Sequence, residues 1–135
     1  MKKIGIIVVI VVVALFIMGT DMFVNPFEEW VLKNQQNSAA PRLQYALAGY
    51  LYLVAQRQGK ATEMYQTAFR LFPGQPGESQ AHYRIGLYCE SKKNYNGAVA
   101  EYQTIIQKWP DLAERLALSQ RIDHFKALQG EAGNN

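Results

Sequence analysis

Cysteine, histidine and net charge are all scarce in this chain, and each scarcity removes a class of function. One cysteine, Cys89, in 135 residues excludes an internal disulfide framework and any zinc or iron–sulfur site built on several thiolates. The two histidines, His82 and His124, stand 42 positions apart and form no metal-ligand spacing. The net charge is +3, and Lys2 and Lys3 supply two of those charges, leaving 12 basic against 11 acidic residues in the remainder. No basic stripe is left for nucleic acid, and Lys92-Lys93 alone are too few. No phosphate-cradling loop or nucleophile motif appears, and Glu28-Glu29 read as first-turn helix carboxylates, not an acid–base pair. The expectation is therefore no enzyme, no cofactor, no metal and no small-molecule substrate.

What the sequence does have is one long apolar run. Residues 4–18, IGIIVVIVVVALFIM, follow Lys2-Lys3 and are broken only by Gly5. A cleavable signal peptide has the same charged start and apolar stretch, but it needs small residues at the cut, and Met18 and Thr20 suit that poorly. An uncleaved helix from Ile4 to Val24 would be roughly 31 Å long, enough for a hydrocarbon core of about 30 Å. The weak cut site favours the anchor, residues 1–24, with Phe23, Phe27 and Trp30 at the membrane interface. The lysines hold the short end in the cytoplasm, so the remainder is expected on the outer side. Residues 25–41 then read as a juxtamembrane helix and linker. Asn25 is its N-cap, Pro26 its first helical position, and Asn34 to Pro41 a polar connection.

The rest of the chain repeats itself. Tyr65-Gln66-Thr67 recurs as Tyr102-Gln103-Thr104, an offset of 37 residues. The same offset superposes Gly49 on Gly86, Ala61 on Ala98 and Pro73 on Pro110. Each unit reads as helix, turn, helix and a proline stop. Gln58-Gly59-Lys60 and Lys93 to Gly97 supply the turns. Gly49 and Gly86 fall where the two helices of a unit cross. A mid-helix glycine costs about 1 kcal/mol of propensity, so close approach must repay it.

This pattern resembles the tetratricopeptide repeat. The first copy, residues 42–75, carries it on Tyr45, Ala48, Gly49, Tyr52, Ala61, Tyr65, Ala68 and Pro73. The second, residues 79–112, carries it on His82, Ile85, Gly86, Cys89, Ala98, Tyr102, Ile105 and Pro110. The spacing is that family's period of about 34 residues plus the insertion Pro76-Gly77-Glu78. The second copy is similar to periplasmic members of the family that serve bacterial envelope assembly. The resemblance implies an all-α fold, a short α-solenoid of two units behind a transmembrane helix, and it makes His82 and Cys89 core residues. It also implies a concave partner-binding face at Leu43, Ala46, Tyr50 and Leu53 in the first unit, and at Gln80, Tyr83, Leu87 and Glu90 in the second.

After Pro110, Leu112, Leu116, Ile122, Phe125 and Leu128 recur at helical spacing. Residues 111–129 thus read as a capping helix, started by Asp111 and Glu114 and stopped by Gly130. Residues 130–135 are expected to form a disordered tail. The function these features imply is a membrane-anchored interaction module or scaffold, displayed outside the inner membrane of a bacterium. Its partner would be a protein that presents a peptide segment or a helix. The alternative is a small accessory or assembly subunit whose anchor packs inside a larger membrane complex.

Overall fold

The computed structural model describes residues 2–132, with side chains from Gly5 to Gly130. The fold is all-α, with no strand among the described residues. The helices are α1 (Lys2–Met18), α2 (Asp21–Lys33), α3 (Ala40–Leu53), α4 (Gln58–Leu71), α5 (Glu78–Ser91), α6 (Tyr95–Lys108), α7 (Pro110–Arg115) and α8 (Leu118–Ala132). The chain divides into two compact units after Pro73.

In the first unit the first helix ends earlier than the Ile4 to Val24 span read from sequence. Helix α1 stops at Met18, and Thr20 is extended at φ −91°, ψ 159°. The Thr20 hydroxyl donates to the Ile17 carbonyl at 2.7 Å, occupying an acceptor that a continuing helix would need. No single helix among the described residues is long and apolar enough to cross a membrane. Gly5–Met18 and Asp21–Lys33 meet that measure only together, as a pair bent by 64°. The juxtamembrane helix consequently begins at Asp21, with Thr20 and not Asn25 as its N-cap, and Pro26 lies inside it.

Helix α2 buries Val24 and Val31. Val31 joins Ala40 and Phe72, with Phe27, Trp30 and Leu71 packed against them. Helices α3 and α4 form an antiparallel hairpin around Leu47, Ala48, Leu51, Ala61, Met64, Tyr65 and Ala68. Gln44 is buried among them and donates its amide to the Met64 carbonyl at 3.1 Å. Pro41 stands in the first turn of α3, where its fixed φ suits the helix and its missing N–H costs nothing. The hairpin turn runs through Val54 to Arg57, and Gln58-Gly59-Lys60 open α4 instead of forming the turn. Gln56 supplies the reversal, at φ 54°, and brings the Arg57 N–H to the Leu51 carbonyl at 2.8 Å.

The second unit is built on the α5–α6 hairpin. Helix α5 ends in a Schellman motif: Lys93, at φ 57°, donates to the Glu90 carbonyl at 2.8 Å, and Asn94 donates to that of Cys89 at 2.9 Å. Asn94 then caps α6, its side chain accepting from the Gly97 N–H. At Gly86 the two helices close up, because a Cβ there would stand only 2.3 Å from a ring carbon of Tyr102. Gly49, its counterpart in the first unit, is buried in α3.

The cap is two helices, not one. Ala117, at φ 51°, separates the short α7 from α8. Leu118, Ile122 and Phe125 of α8 complete a core with Ala98, Tyr102, Ile105 and Ala113. Gly130 lies within α8, which continues to Ala132, and residues 133–135 of the expected tail lie outside the described residues.

Candidate partner and membrane surfaces

Three groups of side chains could carry function. The first surrounds the elbow between α1 and α2. The large apolar side chains of α1 from Ile6 to Ile17 are 40–76% exposed, and they face every direction. Gly19, at the bend, is buried. A Cβ there would meet that of Ala55 at 3.0 Å, so the α3–α4 turn lies directly against the elbow. Two side chains fasten the contact. The Tyr50 hydroxyl donates to the Leu15 carbonyl. The Arg57 guanidinium donates to the Gly19 carbonyl at 2.6 Å and pairs with Asp21 at 2.5 Å. Between these elements lies a cleft of about 850 Å³, walled by Val12, Leu15, Phe16 and Val54.

The interface residues read from sequence lie next to this elbow, on α2. Phe23 is exposed and stacks on Phe27, with ring centroids 6.3 Å apart. Phe27 and Trp30 are half-buried against Val31, Ala40 and Phe72, so both also serve the core of their unit. Lys60, in the first turn of α4, bonds Glu28 of α2 at 2.8 Å and closes the other side.

The second group is the proposed concave face. In the first unit Leu43 is 44% and Leu53 62% exposed, and Ala46 is exposed between them. Tyr50 is half-buried and engaged by α1 through its hydroxyl. In the second unit only Gln80 is exposed, while Tyr83, Leu87 and Glu90 are half-buried. Tyr83 packs on the Tyr102 ring, 6.1 Å between centroids. Glu90 accepts two bonds from Arg121 of α8, at 2.6 and 2.8 Å, and a third from the Tyr102 hydroxyl at 2.5 Å. Burial and the adjacent Glu90 carboxylate push the Tyr102 phenol up, so it remains a donor. Glu90 is thus a strap holding α8, and only part of the residue set read from sequence is open.

The third group surrounds His82. The ring is buried, with Nδ1 2.6 Å from a Glu101 carboxylate oxygen and Nε2 3.8 Å from one of Glu78. Glu78 in turn accepts from Lys108 at 3.0 Å and from the Gly74 N–H at 2.6 Å. Burial would raise the Glu78 carboxyl, but these two donors and the neighbouring histidine hold it below its ordinary value. Cys89 packs against the α6–α8 core, and burial followed by the Glu101 charge pushes its thiol up, away from a reactive thiolate. His124 is exposed. Among the described residues, no three metal-ligating side chains stand together.

Sequence reasoning missed the elbow, the Glu90 strap and the Glu101–His82–Glu78–Lys108 chain. The bonds from Arg57 to Gly19, His82 to Glu101, Lys108 to Glu78 and Arg121 to Glu90 join residues 19 to 38 positions apart, and helical periodicity says nothing about polar partners at that separation. No protein-family model matches the chain, and no curated protein and no solved structure matches it.

Proposed function

We propose that this protein is a non-enzymatic interaction module tethered to a membrane. In this reading α1 is the anchor, and the α3–α4 and α5–α6 hairpins are tetratricopeptide-like units displayed on the outer side of a bacterial inner membrane. The observation that carries the reading is α1 itself. Eleven large apolar side chains on one helix stand 40–76% exposed. Leaving them in water would forgo on the order of 10 kcal/mol, as much as a small domain's whole stability. A helix with no polar face finds its solvent in lipid.

Leu43, Ala46 and Leu53 are the residues offered to a partner, an apolar strip suited to one face of an amphipathic helix or to an extended segment. The alternative, an accessory subunit, draws support from the length of α1. Seventeen residues make about 25 Å, short of a hydrocarbon core of about 30 Å, and packing among other spans accommodates such a helix.

A photo-crosslinking side chain at Leu43 of the full-length protein, activated in native membranes, tests the proposal. The expected result is one discrete protein adduct, lost in Ala46→Glu, from a protein that stays in the membrane pellet through an alkaline wash. Release by that wash, or no adduct from Leu43, overturns it. Recovery in fixed stoichiometry with several other membrane chains moves the reading to the accessory subunit.

A further inference from the structure

Helix α3 ends at Leu53 and the α3–α4 turn opens at Val54, and these two residues are 62% and 61% exposed. Two neighbouring large apolar residues at the tip of a hairpin, facing water, lack an evident purpose within their own unit. Their position suggests one. Val54 lines the elbow cleft opposite Val12, Leu15 and Phe16 of the apolar run, so the exposed apolar surface passes from α1 to the tip.

The tip is also held at a definite level along α1. Tyr50 bonds the Leu15 carbonyl, four residues inside the run from Gly19. That is about 6 Å along the helix axis, so the tip lies beside the end of the apolar run instead of beyond it. Polar groups lie at the Gly19 end. Arg57 reaches the Gly19 carbonyl and Asp21, and Tyr50 adds a phenol, the two side-chain types that settle at headgroup level. The shortfall in the length of α1 points the same way, because a second apolar element at the interface extends the hydrocarbon-matching surface.

We infer that the α3–α4 turn is a second membrane contact, in which Leu53 and Val54 enter the leaflet beside α1 and an acyl chain of that leaflet fills the elbow cleft. The occupant is lipid hydrocarbon, since Val12, Leu15, Phe16 and Val54 give the cleft a mainly apolar lining and Arg57, the cation among its polar groups, is already paired with Asp21. The inference rests on the membrane reading of α1. It adds that the first hairpin lies against the bilayer and does not swing free on a tether.

Full-length protein carrying Cys89→Ala and a single new cysteine, Val54→Cys, Val9→Cys or Gln103→Cys, is labelled with an environment-sensitive fluorophore. It is then reconstituted in phosphatidylcholine vesicles brominated either near the headgroup end or near the methyl end of the acyl chains. Far-ultraviolet circular dichroism of the Gln103→Cys protein shows that the background is folded. The expected pattern is deep quenching at Val9, shallow quenching with blue-shifted emission at Val54, and neither at Gln103. Quenching at Val9 with Val54 behaving like Gln103 overturns the inference and leaves the anchor standing. An unquenched Val9 overturns both.

Discussion

Replacing Gly86 by alanine sets two effects of known sign against each other. In a helix interior alanine is favoured over glycine by about 1 kcal/mol. Against this stands the space available. The new methyl would lie 2.3 Å from one carbon of the Tyr102 ring, with two more at 2.8 and 2.9 Å, where ordinary contact is about 3.5–4 Å. The ring cannot retreat cheaply. Tyr102 is fully buried, packed in the core with Ile105, Leu118 and Phe125, and its hydroxyl is bonded to the Glu90 carboxylate that Arg121 also holds.

Overpacking of this kind costs about 1–3 kcal/mol, and displacing the phenol from Glu90 adds about 1 kcal/mol. The net change is a loss of about 1–3 kcal/mol. For a unit of this size each kcal/mol moves Tm by roughly 4–8 °C. Gly130 in α8 is the control, because a Cβ there meets nothing within 4 Å. Gly130→Ala should leave Tm unchanged or raise it slightly. Thermal melts of the detergent-solubilised protein, followed by far-ultraviolet circular dichroism, compare the two. Equal shifts for both variants, or a gain for Gly86→Ala, would refute the close-crossing argument.

Two further predictions concern the same unit. Ala117 carries a Cβ at φ 51°, so Ala117→Gly should stabilise the protein by about 0.5–1 kcal/mol through relief of that conformation, and a lower denaturant midpoint would contradict this. Glu78 has a folded pKa held below its ordinary 4.5, so its stabilising contribution is complete above that pH and is lost as the pH falls towards the folded value. Glu78→Gln should flatten the acid limb of the stability profile, and an unchanged limb would remove Glu78 from the account.

Helical content and the second hairpin's turn at Lys93-Asn94 were legible because they depend on neighbours in sequence. Tyr65 and Tyr102, which the repeat places at equivalent positions, are both buried, and Gly86 marks its crossing through the absence of a side chain. The errors came where a local signal met a competing one. Asn25-Pro26 is a good helix start, yet Thr20 starts α2 earlier, and the buried Val24 and Val31 fix the helix from outside the cap. Gly59 suggests a turn, but Gln56 makes the reversal and frees Gly59 to begin α4. Gly130 suggests a stop, although nothing in the way of α8 enforces one there.

Of the face read from sequence only Leu43, Ala46, Leu53 and Gln80 are exposed, and Glu90 shows why the rest are not. Spacing along α5 assigns it to the same face as Gln80, Tyr83 and Leu87, and a carboxylate on such a face reads as a contact for an incoming partner. Its function in the fold is set by Arg121, 31 residues later, which no periodicity in α5 can announce. Glu90 is only 18% exposed, with two guanidinium donors and a phenol on its oxygens. Recruiting it to an external ligand would strand Arg121 and uncover the Leu118–Ile122–Phe125 edge of the core. For the partner proposed above, more is therefore to be gained at the first hairpin, where Leu43, Ala46 and Leu53 can be covered without breaking any bond the protein makes to itself. If the α3–α4 tip does enter the leaflet, Leu53 is withdrawn as well, and the partner's footprint contracts to the Leu43 and Ala46 end of α3.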